Sequence, residues 1–443
     1  MGSVIERALV DESQARRLFG NFMQDCNVAT PIFDPVLDTF ESVRELYPLT
    51  MTVVLYLAAR QDPSDDVDSL KMLETESRRL AADTLFENPC SLDSVKAMLL
   101  LSVHSEKTWF AIGHTLQMAA DLGLNYSMNR ATTKPESCSR YDFHCARLWL
   151  FIVYFERAVA LGTRRIPRCN SINPSDLEVL VESRYSHPSE IFFYGSLELF
   201  DMSASLRLLA ELPSPEQIEQ NLDAWLNRWN AHYNKQCIHS SSLQRVHLTI
   251  QMLFAKTWQL ASCLVRQLRP LHQSDTRTSI STLLDHILFT NNQLHRRISD
   301  SSAYIHYFPW SPTCELLLLI FTVILGRKAL SLMNPAMMRS HQDGFKEFAI
   351  LVADLLRKHP CQRFSNMVDE ILLQHQKSTE ASESQVQSEN NLEASAAQAE
   401  TASAGDLGWL ETDWTTTSTQ FEELFGEWAA GEDWTVKGLM GQF

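Results

Sequence analysis

The chain has 443 residues, of which 45% are hydrophobic and 21% charged, enough apolar material to bury one or two large cores. Its 14 glycines and 16 prolines are too few for the many turns of a sandwich or barrel. The net charge of −16 is unevenly placed: Ser378–Phe443 carries thirteen acids against the single base Lys437, or −12, which leaves −4 for residues 1–377.

The start, "MGSVIERALVDES", has acids where a secretory leader needs a basic end and an apolar run, so no leader is expected. Helical periodicity then dominates. Asp11 or Ser13 caps a helix running to about Cys26, and further helices are predicted over Pro35–Tyr47, Leu49–Arg60, Ser69–Glu87, Leu92–Val103, Thr108–Leu122 and Tyr141–Leu161. Others follow over Pro188–Leu212, Pro215–Tyr233, Gln244–Leu268, Arg277–Ser299, Cys314–Leu332, Ala336–Lys358 and Arg363–Gln376. No stretch alternates with period two, so the fold class expected is all-α, a large multi-helix domain over residues 1–377. The apolar runs Leu316–Leu325 and Leu148–Phe155 are far shorter than the roughly 20 residues that span a bilayer, so no membrane segment is expected. The nine cysteines are scattered and odd in number, which reads as free thiols.

Sites for chemistry are hard to find. "HYNKQCIH" groups His232, Cys237 and His239, and "CSRYDFHC" groups Cys138, His144 and Cys145, but neither has the spacing of a structural zinc site. Ordinary loop or core residues are favoured in both, and no metal is expected. GxSxG, GxxxxGK and GxGxxG are absent, so no catalytic residue is assigned. "SDDVDS" offers Asp65, Asp66 and Asp68 as a magnesium patch for diphosphate chemistry of the terpene-cyclase type, the alternative function; Ser69 stands where the DDxxD pattern of that type needs its last acid, and a solvated turn is favoured. The densest basic group, Arg164, Arg165 and Arg168 in "GTRRIPR", is small for a phosphate-binding surface, and ion pairs with neighbouring acids are expected instead.

Two stretches are more distinctive. In "KTWFAIGHTLQMAADLGLN", Trp109, Ile112, Gly113, Leu116, Ala119 and Ala120 follow helical spacing; Gly113 and the alanines should admit a neighbouring helix, and Gly123 fits the left-handed position after a helix end. His114 reads as a satisfied, partly buried histidine. The middle of "ARLWLFIVYFERAVALGTRRIP" is apolar all round, so its Glu156 and Arg157 must be paired to be tolerated. Together these stretches resemble the fungal-specific transcription factor domain, the middle homology region of zinc-cluster regulators. Trp109, Asp121, Leu122, Gly123 and Leu124 match its first motif, and Arg147, Leu148, Trp149, Arg157, Leu161 and Gly162 its second, with Leu150, Glu156 and "LGTRRIP" as departures. The resemblance covers roughly residues 90–180, and more thinly 14–330.

The resemblance implies an all-α regulatory body, a nuclear location and no enzymatic activity, with Trp109, His114, Tyr154 and Arg157 as candidates to face an effector. Zinc enters that family through a six-cysteine cluster that this sequence does not contain. No cofactor and no direct DNA contact are therefore expected here; DNA targeting would fall to a partner or to a zinc cluster missing from this chain, and a homodimer is the other assembly considered.

The remainder reads differently. Residues 378–405 hold five acids, no base and no aromatic, and should form a flexible linker. Residues 406–443 should form an acidic-aromatic activation tail. In "TQFEELFGEW", Thr419 and Glu422 have capping-box spacing, and Phe421, Leu424, Phe425 and Trp428 recur at i, i+3, i+4 and i+7. So short a helix is marginal alone, and Gly426 costs it about 1 kcal/mol more. Such a stripe, extended by Trp409, Trp414 and Trp434, suits the groove of a coactivator protein, and the chain is expected to be an activator.

Overall fold

The computed structural model describes residues 4–373, with interruptions at 6, 8, 63–66, 87–89, 106–107, 163–164, 207–208, 210, 269–274, 334 and 362–363. Among these residues the fold is all-α, without a strand, and no single helix is long and apolar enough to cross a membrane. All nine cysteines are free thiols. The helices in chain order are α1 (Glu12–Asn21), α2 (Asn27–Ala29), α3 (Phe40–Leu46), α4 (Pro48–Gln61), α5 (Val67–Asp83) and α6 (Leu92–Val103). Next come α7 (Thr108–Asp121), α8 (Leu124–Thr133), α9 (Arg140–Gly162), α10 (Pro174–Val181), α11 (Pro188–Ser205) and α12 (Pro215–Lys235). The series ends with α13 (Leu243–Leu268), α14 (Asp275–Ser299), α15 (Ser302–Tyr307), α16 (Thr313–Ser331) and α17 (Pro335–Lys358), followed by a helical stretch over 364–373.

The chain divides into two compact units. The first takes Met1–Lys256, Arg296–Leu318 and Lys358–Pro360, and the second the remainder. In the first unit α9 is the central element. Ser139 starts it by accepting the Asp142 amide (3.0 Å) while its hydroxyl donates back to the Asp142 carboxylate (2.6 Å). From Leu150 to Gly162 every residue is buried, as its all-round apolar sequence requires, and α7, α8 and α11 pack against it. α12 is amphipathic: Ile218, Leu222, Trp225, Trp229 and Tyr233 form one buried stripe, behind a capping box made by Ser214 and Gln217. Its indoles donate to α11, Trp225 to the Gly195 carbonyl (3.1 Å) and Trp229 to Glu198 (2.8 Å).

In the second unit Asn291 of α14 is buried and donates to the Thr322 carbonyl of α16 at 3.1 Å. Gly326, one turn further along α16, leaves room for that amide, since a Cβ there would collide with the Asn291 side chain.

Several predicted boundaries move for local reasons. The helix expected from Pro35 begins only at Phe40, because carboxylates hold residues 34–38 in a turn: Asp34 accepts the Val36 amide (2.9 Å) and Asp38 the Asp34 amide (2.8 Å). Asp38 also pairs with the fully buried Lys96 at 3.2 Å, whose ammonium sits 4.2 Å over the Tyr47 ring. The helix expected from Asp11 to Cys26 is interrupted by a π-helical turn, Phe22–Cys26, and α2, α8, α10 and α15 fall outside the predicted helices. Gly123 takes the expected left-handed conformation (φ 70°), and α8 starts directly after it.

Gly123→Ala should therefore destabilise the fold by about 1–2 kcal/mol. Gly20→Ala, inside α1 where an added Cβ meets nothing within 4 Å, should be neutral or stabilising by up to about 1 kcal/mol. Chemical denaturation of the two variants should show these opposite signs.

Candidate functional site

The segment that leaves α9, residues 165–170, is the place where the two distinctive sequence stretches meet. Arg168 lays its guanidinium 3.6 Å over the Trp109 indole, and Arg165 sits 5.0 Å from the same ring. Both terminal nitrogens of Arg168 also donate to the Trp109 carbonyl at 3.3 Å. One turn along α7, Gly113 makes room for this arginine, because a Cβ there would lie 2.9 Å from the guanidinium carbon. The close neighbour that Gly113 admits is thus an arginine rather than the helix expected. The ion pairs expected for this basic group are replaced at Arg165 and Arg168 by stacking on Trp109, while Arg164 lies outside the described residues.

Beneath this stack α9 carries an adjacent pair of buried charged residues, Glu156 at 0% and Arg157 at 2% exposure. They are compensated, as expected, but from outside the helix. The Glu156 carboxylate accepts the Arg168 backbone amide at 2.8 Å; its second oxygen has no hydrogen-bond partner, and burial raises its pKa despite that bond. Arg157 pairs with Asp201 of α11 and donates to the Asn170 carbonyl. A clasp results, in which residues 165–170 are tied to α7 through Trp109 and to α9 through Glu156 and Arg157, with Asp201 of α11 completing the network.

The other basic residue of the second motif, Arg147, is buried and ties α9 to α11 through Glu190 at 3.1 Å and to the chain before α3 through the Ile32 carbonyl at 3.0 Å. Tyr194 donates to the same carboxylate at 3.3 Å. Burial raises the Glu190 pKa, and Arg147 opposes the rise.

Of the four residues expected to face an effector, the clasp brings together Trp109 and Arg157. The other two lie elsewhere. His114 is half-buried, bonded to Thr84 at 3.1 Å, and burial lowers its pKa. Tyr154 is fully buried among Phe155, Phe193 and Phe200, with ring centroids 4.9, 4.7 and 5.4 Å away. Arg157 lines, with Arg165, Phe200 and Asp201, a recess of about 20 Å³, room for about one water molecule.

Metal and nucleophile geometry is sparse. Among the described residues no three His, Cys, Asp or Glu side chains are grouped to hold a metal ion. His232 packs on Trp229, Cys237 is exposed with φ 55°, and His239 caps the turn at Ser241. Cys138 and Cys145 are buried thiols, and His144 meets Arg147 at 3.3 Å. Asp68 lies exposed in the first turn of α5, while Asp65 and Asp66 fall outside the described residues. Cys26 lies 3.7 Å from the Nε2 of His104, but burial drives the thiol pKa up and the imidazole pKa down, which keeps the pair neutral and unreactive. The proposed partner-binding residues, Trp409, Trp414, Phe421, Leu424, Phe425, Trp428 and Trp434, also lie outside the described residues.

Comparison with known proteins yields no match: no family model, no curated protein and no solved structure. Reasoning from sequence missed Asp201, Asn170 and Glu190, the partners of the arginines. None stands in helical register with its arginine; Asp201 and Glu190 lie 44 and 43 residues away, so only the need for some partner was visible.

Because an added Cβ at Gly113 meets the Arg168 guanidinium, Gly113→Ala should be destabilising in the wild-type background. Combined with Arg168→Ala it should instead gain up to about 1 kcal/mol of helix propensity. A double-mutant cycle by urea unfolding checks this change of sign.

Proposed function

We propose that this chain is a fungal transcription regulator working in the nucleus as an activator. The helical body serves as its architecture, and residues 406–443 recruit coactivator proteins. Its DNA address comes from a partner or from a zinc cluster missing from this chain. The observation that carries this reading is that residues behind the family resemblance have linked structural roles. Trp109 and Arg157 hold the clasp, Gly123 makes the left-handed turn, and Arg147 ties α9 to α11. A shared signature made of packing devices is what a common helical body would preserve.

The tail supplies the activity in this reading. Phe421, Leu424, Phe425 and Trp428 form one apolar stripe flanked by Glu422, Glu423 and Glu427, with Trp409, Trp414 and Trp434 as further anchors. Acids around bulky apolar anchors speed encounter with a basic partner groove, while the anchors supply affinity.

Fusing residues 378–443 to an unrelated DNA-binding domain should activate a reporter. Phe425→Ala with Trp428→Ala should reduce that activity roughly tenfold, the loss expected when aromatic anchors leave an interface. An inactive fusion, or one indifferent to the double substitution, would overturn the assignment.

A further inference from the structure

Within the first unit, helices α9, α13, α15 and α16 bring a group of ionisable side chains to one buried place. His247 of α13 and Glu315 of α16 are 5% and 2% exposed, and the His247 Nε2 lies 3.7 Å from a Glu315 carboxyl oxygen. His247 stacks on Phe192 of α11 (ring centroids 4.9 Å, 28°) and meets Tyr304 of α15 edge-on (5.1 Å, 83°). The Glu315 oxygen facing His247 has no hydrogen-bond partner, and neither has the Tyr304 hydroxyl. The ionisable groups facing Glu315 are Tyr154 from α9, His247 from α13, Tyr304 from α15 and its own neighbour Cys314; the Ser311 side chain bonds to it. None of these neighbours carries a fixed positive charge.

We propose that His247 and Glu315 form a reverse-protonated pair that holds one buried proton, on the carboxyl rather than on the imidazole, throughout the mildly acidic range. The physical reason is the environment. A lone carboxylate or a lone imidazolium here would be a buried charge without a counter-ion, whereas a carboxylic acid facing a neutral imidazole leaves no charge in this buried place. No covalent change is involved; the proton resides on histidine in the unfolded chain and on glutamate in the folded one.

Burial pushes Glu315 from its ordinary 4.5 up to about 7 and His247 from 6.5 down to about 4. A raised carboxyl pKa contributes stability that is full below 4.5 and lost as pH rises through 7. A lowered imidazole pKa does the opposite, its contribution being full above 6.5 and lost as pH falls through 4. Between 4.5 and 6.5 the two slopes cancel, because folded and unfolded chains bind the same one proton. The pair therefore hides two large linkages behind a flat profile, and its contribution to wild-type stability falls only outside that window, as pH rises from 6.5 towards 7 or drops from 4.5 towards 4.

Urea unfolding of the full chain across pH 4.5–7.5 tests this, with stability differences taken against wild type so that other titrating groups cancel. Relative to wild type, Glu315→Gln should leave the histidine linkage exposed and gain stability as pH rises, by about two powers of ten in the folding constant. His247→Phe should show the opposite slope. Infrared spectra at pH 6 should contain a protonated-carboxyl band that Glu315→Gln removes, a readout that survives even if His247→Phe does not fold. Parallel pH profiles for wild type and Glu315→Gln, or no such band, would overturn the proposal.

Discussion

Two opposite charges set side by side on a fully buried stretch of α9 are the constraint that organises the first unit. Glu156 and Arg157 are adjacent in sequence, so they project about 100° apart around the helix and cannot neutralise each other by direct pairing. Removing the partner of a buried charge costs about 3–5 kcal/mol. Each therefore obliges another part of the chain to come to it: the Arg168 amide to Glu156, Asp201 and the Asn170 carbonyl to Arg157. The path of the chain after α9 follows from that obligation.

Once residues 165–170 are held there, their own arginines need a place. Stacking on Trp109 gives Arg168 an aromatic face and a carbonyl to bond at the same time, in a place that an added Cβ at position 113 of α7 would oblige the guanidinium to leave or adjust. A tryptophan, a glycine, a buried acid–base pair and a basic exit thus form one connected device. In the structure the distinctive residues of these two stretches are packing devices.

The all-helical class was legible because apolar spacing of 3.6 recurs through the body and period-two alternation does not. The left-handed Gly123 was legible too, since a glycine after a helical run has few other uses. What pattern could not supply was anything depending on residues far apart in the chain. It demanded partners for Glu156 and Arg157 without naming them, and it misassigned Arg165 and Arg168 to ion pairs because an indole offered by a separate helix leaves no mark in local sequence. The His247–Glu315 contact, spanning 68 positions, was likewise invisible, and so was the placement of Tyr154 in an aromatic core. The turn at residues 34–38 shows the reverse failure: helical spacing was present, but aspartate side chains competing for backbone amides overrode it.

The amide hydrogen exchange of Arg168 reports most directly on whether buried charge fixes the chain beyond α9. With its N–H given to the Glu156 carboxylate, this amide should exchange slowly, close to the rate set by unfolding of the first unit, although it lies outside any helix. Exchange at the rate of a freely hydrated loop would mean that the clasp is not formed in solution.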